Sequence, residues 1–242
     1  MKSVFLLFFF LVSQARAFYA PFDWSIIANR KSSFKSGGVS CDKTKFEEEL
    51  NKFYANSGIG EAPRSPAEFE QREHQILFTE KVAGFERICK AHRTFYSSLG
   101  AQQFEACVDH FNMIENMGHQ PGAAFAYEAL FKGQRFTCSS ASYFTVAQNL
   151  QCILDNWIAE NSTLAHCVQT YSNAITREFS EGASYAQECK TMHNLQVCEA
   201  RAFKACGKEV EWVVCERARV EGSIAYFGCD WNLIKCSIED FD

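Results

Sequence analysis

Much that would point to chemistry is missing from this chain. No tract of clustered lysine and arginine occurs, and 24 basic residues are outnumbered by 29 acidic ones. Phosphate contact needs concentrated positive charge, so nucleic acid and anionic membrane surfaces are excluded as partners. No Gly-x-Ser-x-Gly elbow marks a serine hydrolase, and no Cys-x-x-Cys pair marks a redox centre. No two cysteines stand closer than seven residues, so the tight ligand pairs of zinc sites are absent. An alternating Asp/Asn calcium loop is absent as well. The acidic runs at 47–49 and 238–240 read as solvated surface, because a glycosidase needs facing carboxyls and not a run of them. Proline is scarce, with four residues in 242, and long stretches are therefore free to be helical.

Long apolar runs are also lacking, apart from VFLLFFFLV at 4–12. That run is shorter than the roughly 20 residues a membrane span takes. Lys2 precedes it and Ala-Arg-Ala follows at 15–17, the pattern of a secretory signal with cleavage after residue 17. The expected product starts near Phe18, has no stable membrane anchor and is exported. Losing Lys2 and Arg16 moves its formal charge from −5 to −7.

What the chain has in plenty is cysteine. All twelve lie beyond the signal: Cys41, Cys89, Cys107, Cys138, Cys152, Cys167, Cys189, Cys198, Cys206, Cys215, Cys229 and Cys236. An even number in an oxidising compartment reads as up to six disulfides. Spacing alone supplies no pairing.

The expected fold is all-α, a disulfide-linked bundle of amphipathic helices. In DKTKFEEELNKFY, Phe46, Leu50 and Phe53 recur on one helical face. ANSGIGEAPR then breaks the pattern, and SPAE at 65–68 starts the next helix. Ser65 serves as N-cap, Pro66 occupies the first turn and Glu68 closes a capping box. This helix is expected to run to about Leu99, passing through Gly84. Further helices are expected at 101–117, 121–132, 140–159, 161–179, 184–206 and 208–220. Residues 18–40 form an irregular lead-in and 41–236 the cysteine-rich domain, with a candidate seam near 133–139. An acidic tail follows at 237–242.

Candidate sites are few. Cys189, Cys198, Cys206 and Cys215 surround His193, and Cys189 with His193 would share a helical face. Half-cystines are the simpler reading of these sulfurs, and a surface or half-buried imidazole that of His193. Asp109 and His110 are adjacent, about 100° apart around a helix, a poor arrangement for one to orient the other. They read as a solvated edge beside Cys107. No catalytic residue, cofactor site or metal site is assigned. Modification signals are stronger. Asn161, in NST, is the single N-glycosylation acceptor, although an asparagine there would also suit an N-cap. Ser57 in NSGIGE, and more weakly Ser36 in SGG, have the Ser-Gly context of chondroitin-type attachment.

FTCSSASYFTVAQNLQCI (136–153), HCVQTYSNAI (166–175) and CEARAFKACGKEVEWVVC (198–215) resemble the cysteine-rich secreted domains of nematodes. Two families are similar in style, the chondroitin proteoglycan 4-like domain and a second domain of unknown function. The resemblance spans roughly Cys89 to Cys236 and implies an extracellular, helical, disulfide-bonded protein without catalytic residues. In the proteoglycan case it implies a matrix role, with Ser57 and Ser36 as the only matching attachment sites. The expected function is a non-catalytic secreted protein of extracellular matrix or extracellular binding, with protein or glycan partners. The alternative is an extracellular carrier of small apolar ligands.

Overall fold

The computed structural model describes residues 39–226, 228–232 and 234–237. The signal, nearly all of the lead-in including Ser36, and the end of the acidic tail lie outside them. The described residues are all-α with no strand, and all twelve cysteines pair into six disulfides. They form two compact units, 39–138 and 139–237.

The N-terminal unit contains α1 (Lys43–Ser57), α2 (Pro66–Glu80), α3 (Val82–Leu99), α4 (Ala101–Val108), α5 (His110–Glu115) and α6 (Pro121–Thr137). Its core is aromatic. Phe46, Phe53, Phe69, Phe95, Phe104 and Phe131 are each at most 2% exposed. Phe53 stands 5.6 Å from Phe95 and 6.1 Å from Phe69, while Phe131 stands 5.8 Å from Phe95. Such ring pairs add about 0.5–1.5 kcal/mol each beyond the area they bury. Cys41–Cys107 and Cys89–Cys138 tie α1's start to α4 and α3 to the end of α6.

The long helix expected from Ser65 to Leu99 is two helices. The break is at Lys81, whose φ of 56° is unusual for a side-chain-bearing residue. Its N–H closes α2 on the Leu77 carbonyl at 3.0 Å, and its own carbonyl opens α3 by accepting from Phe85 N at 3.1 Å. Gly84 is not the breaker. A Cβ there would come within 2.7 Å of Ile76 Cγ2, so glycine is what lets α3 lie against α2. The helix expected at 101–117 also divides, because the Asp109 carboxylate caps α5 by accepting from Phe111 N and Asn112 N at 3.0 and 3.2 Å. Ser65 caps α2 through Glu68 N at 3.2 Å, but Glu68 reaches back to Arg64 N at 2.8 Å and not to Ser65. The box is therefore displaced by one residue.

The C-terminal unit contains α7 (Ser140–Ala159), α8 (Asn161–Glu181), α9 (Tyr185–Arg201), a 3-10 turn (Lys204–Cys206) and α10 (Lys208–Ala225). The helix expected at 184–206 thus ends at Arg201, and that at 208–220 runs on to Ala225. Helix α9 packs between α8 and α10, while α7 and the turn pack on α10. Apolar burial is divided among small clusters. One gathers Tyr171, Ile175, Met192, Leu195 and Tyr226, another Ala200 and Cys215, a third Ala202, Phe203 and Val210. Bridges Cys152–Cys206, Cys167–Cys198, Cys189–Cys229 and Cys215–Cys236 knit these together, with Cα separations of 5.7–5.9 Å. Phe144 is 62% exposed on the α7 face opposite Val146, Leu150 and Leu154.

Candidate functional site

Three helices and a loop of the N-terminal unit leave a half-open cleft of about 310 Å³. Phe46, Leu50 and Tyr54 come from α1, Met113 from α5, and Tyr127 and Phe131 from α6, with Pro63 closing one side. Glu47, Asn51 and His119 stand at the same cleft. The Tyr127 hydroxyl donates to the Pro63 carbonyl at 3.4 Å. Burial raises the Tyr54 phenol above its ordinary value and that of Tyr127 to about 12, so both stay protonated hydrogen-bond donors at neutral pH. Burial lowers His119, with Lys43 adding to the effect, which favours the neutral imidazole. The lining is what a small apolar molecule with a neutral polar end would need.

His110 is the second feature, and it corrects the solvated-edge reading. Its side chain is buried, and Nδ1 lies 2.5 Å from Glu128 Oε2. The carboxylate that orients it is thus Glu128 on α6, with Asp109 turned to its capping role. The same Glu128 oxygen accepts from His110 N at 3.0 Å, and Lys132 Nζ stands 2.6 Å from the other oxygen. Phe125 stacks on the imidazole with centroids 3.8 Å apart. Burial works to raise Glu128, but the His110 hydrogen bond and the Lys132 charge prevail and hold it below its ordinary value.

Asp109, His110 and Glu128 bring ligand-type atoms within 4.8 Å of one another. The residue types would suit a metal, yet the geometry does not. Ligand atoms sharing a tetrahedral zinc ion stand roughly 3.3 Å apart, and the 2.5 Å His110–Glu128 contact is a hydrogen bond. Lys132 already supplies the compensating charge. The arrangement works as a structural brace from α5 to α6.

In the C-terminal unit an open groove of about 930 Å³ runs past Asn156, Thr163, His193, Arg201 and Lys204. His193 lies on it, half-buried, with Nδ1 3.4 Å from Gln196 Oε1. Its neighbour Cys189 is bonded to Cys229, so the pairing of that sulfur with His193 as metal ligands is replaced by a disulfide.

Ser57 is corrected. It is the last residue of α1, 0% exposed, and its hydroxyl donates to the Tyr54 carbonyl at 3.1 Å. Gly58 and Gly60 do take positive φ, but the turn they make folds Ser57 inward under Ile59. No transferase can reach that oxygen in the folded chain. Asn161 is the first residue of α8 and half-buried, with Oδ1 buried and unpartnered. It is not the cap. Glu160 stands in that position, accepting from Leu164 N at 2.9 Å and, through its side chain, from Thr163 Oγ1 at 2.7 Å.

Sequence reasoning found neither the cleft nor the Glu128 brace. Phe46 was visible as a helical stripe, but nothing local links Tyr54, Met113, Tyr127 and Phe131. Phe104, Phe111, Phe144, Trp157, Trp212 and Trp231 do not line the cleft. No family model, no curated protein and no solved structure matches this chain.

Proposed function

We propose that this is a non-enzymatic extracellular binding protein whose sulfur is used for bracing. The observation that carries the proposal is the pairing of all twelve cysteines, with no thiol left for metal or nucleophilic chemistry. Six bridges persist in an oxidising space and are reduced in a glutathione-buffered one. Supporting it are the export-type first 17 residues and the likeness in motif style to nematode secreted domains. A matrix role with a chondroitin-type chain rests on Ser36, since Ser57 is buried. An N-linked glycan is proposed at Asn161. Expression of the whole chain in a secreting eukaryotic cell tests the reading. The product in the medium should begin near Phe18 and show no free thiol when denatured without reductant. Retention in the cytosol, or several reactive thiols in the exported molecule, would overturn it. Mass before and after chondroitinase decides the Ser36 chain.

The cleft in the N-terminal unit favours a second reading, a carrier of small apolar ligands. Its volume sits at the lower end of ligand pockets, which hold about 300–1,000 Å³, so a single-ring or short-chain molecule is the fitting size. A naphthalene-type dye should brighten at one site per chain, and Met113→Trp should abolish this by filling the cleft. A native protein that leaves the dye dark removes this reading.

A further inference from the structure

The C-terminal unit buries acid without matching base. Glu178 on α8 is 5% exposed and Glu188 on α9 is 8%. Glu178 Oε1 accepts from Thr191 Oγ1 at 2.6 Å and Gln187 Nε2 at 3.2 Å, whereas its Oε2 is buried with no partner. Ion pairs in this unit's described residues run from Arg217 to Glu221 and from Arg219 to Glu216, and neither Glu178 nor Glu188 has one. The groups facing the pair are neutral. Tyr171 of α8 and Tyr226 beyond α10 hydrogen-bond to each other through their hydroxyls, and Tyr185, Gln187 and Thr191 come from α9.

A buried carboxylate is stable when a cation or several donors satisfy it. Here one Glu178 oxygen is buried without a donor, and Glu188 on the neighbouring helix brings a second negative charge to act against it. A proton on Glu188 removes the repulsion and creates a donor. We propose that Glu178 and Glu188 form a proton-uptake site that tightens the C-terminal unit in mildly acidic surroundings and loosens it in alkaline ones. Burial first, and then Glu178, raise Glu188 above the ordinary carboxylate value. Glu211, raised by burial, and Glu199, pushed up to about 8 by burial and by Glu221, act in the same direction. Because the folded values lie above the unfolded one, the stabilisation is complete below pH 4.5 and fades as pH rises through the folded values. For Glu199 that window extends to about 8.

Trp157, Trp212 and Trp231 all lie in this unit, and 39–138 contains no tryptophan. In the full chain with Trp24→Phe, tryptophan fluorescence therefore reports this unit alone. Denaturant unfolding followed that way between about pH 5 and 8 should show the midpoint rising as pH falls. The unfolding constant should drop by up to about tenfold per pH unit for each proton taken up. Glu188→Gln and Glu178→Gln should flatten that slope and raise the midpoint at the alkaline end. A flat or reversed slope in the parent, or an unchanged slope in both variants, overturns the proposal. Should the variants not fold, carbon-13 titration of the side-chain carboxyls in the unsubstituted protein decides. One of this pair must titrate above the ordinary glutamate range, and ordinary titration of both refutes the site.

Discussion

Residues 39–138 and 139–237 are nearly equal in length and carry the same formal charge, −3, but they hold themselves together differently. The first contains eleven phenylalanines and two disulfides; the second contains four phenylalanines and four disulfides. Burying one large apolar side chain stabilises by about 1.5–3 kcal/mol, and one bridge by about 2–4 kcal/mol. Ring and sulfur are thus of similar worth, and each unit relies mainly on one. The aromatic unit has interlocking rings from five helices around Phe53 and Phe95. Its sister has separate patches of Ala, Val, Met and Tyr that a bridge must bring into register. Their buried acids differ in the same sense, since Glu128 has His110 and Lys132 while Glu178 and Glu188 have no cation.

Full reduction is the strongest way to break this comparison. It should unfold 139–237 at a much lower denaturant concentration than 39–138, because four bridges of about 2–4 kcal/mol each outweigh two. Tryptophan fluorescence of the Trp24→Phe chain reads the first, and amide hydrogen exchange the second. Simultaneous loss of both would mean that the rings do not suffice. Phe95→Ala attacks the other unit and should cost about 3–5 kcal/mol through the cavity it leaves, accelerating exchange throughout 39–138 and leaving that of 139–237 unchanged. Lys132→Met leaves Glu128 buried beside a single imidazole and should cost up to about 3–5 kcal/mol near neutrality. The wild-type stabilisation from Glu128 is present above the ordinary glutamate value and fades as pH falls through its lowered one. The variant should therefore close part of its gap to the parent on acidification, the opposite of the slope expected in the other unit. Ser65→Ala is the smallest, about 1 kcal/mol from the lost α2 cap, read as faster exchange over 66–69 alone.

Much of the helical plan was legible along the chain, for local reasons. The Phe46/Phe53 stripe, the glycine-rich break after α1 and the Ser65–Pro66 start all act within one or two turns, and each has its place in the fold. Lys81 was not legible, because a lysine at positive φ has no sequence signature and exists where α2 and α3 must turn on each other. Gly84 drew attention for the wrong reason: its lack of a side chain matters for Ile76 across the turn. Ser57 looked accessible from its glycine neighbours, yet accessibility depends on Tyr54 and Ile59 folding over it.

The sequence by itself determined helical class, oxidised sulfur and the lack of familiar chemical motifs, since periodicity, cysteine parity and motif spacing are properties of neighbours in the chain. Only the tertiary structure decided which sulfur meets which, that His110 answers to Glu128, and that Glu178 is left without a base. Those depend on segments up to 66 residues apart coming within bonding distance, a matter of packing that no local pattern encodes.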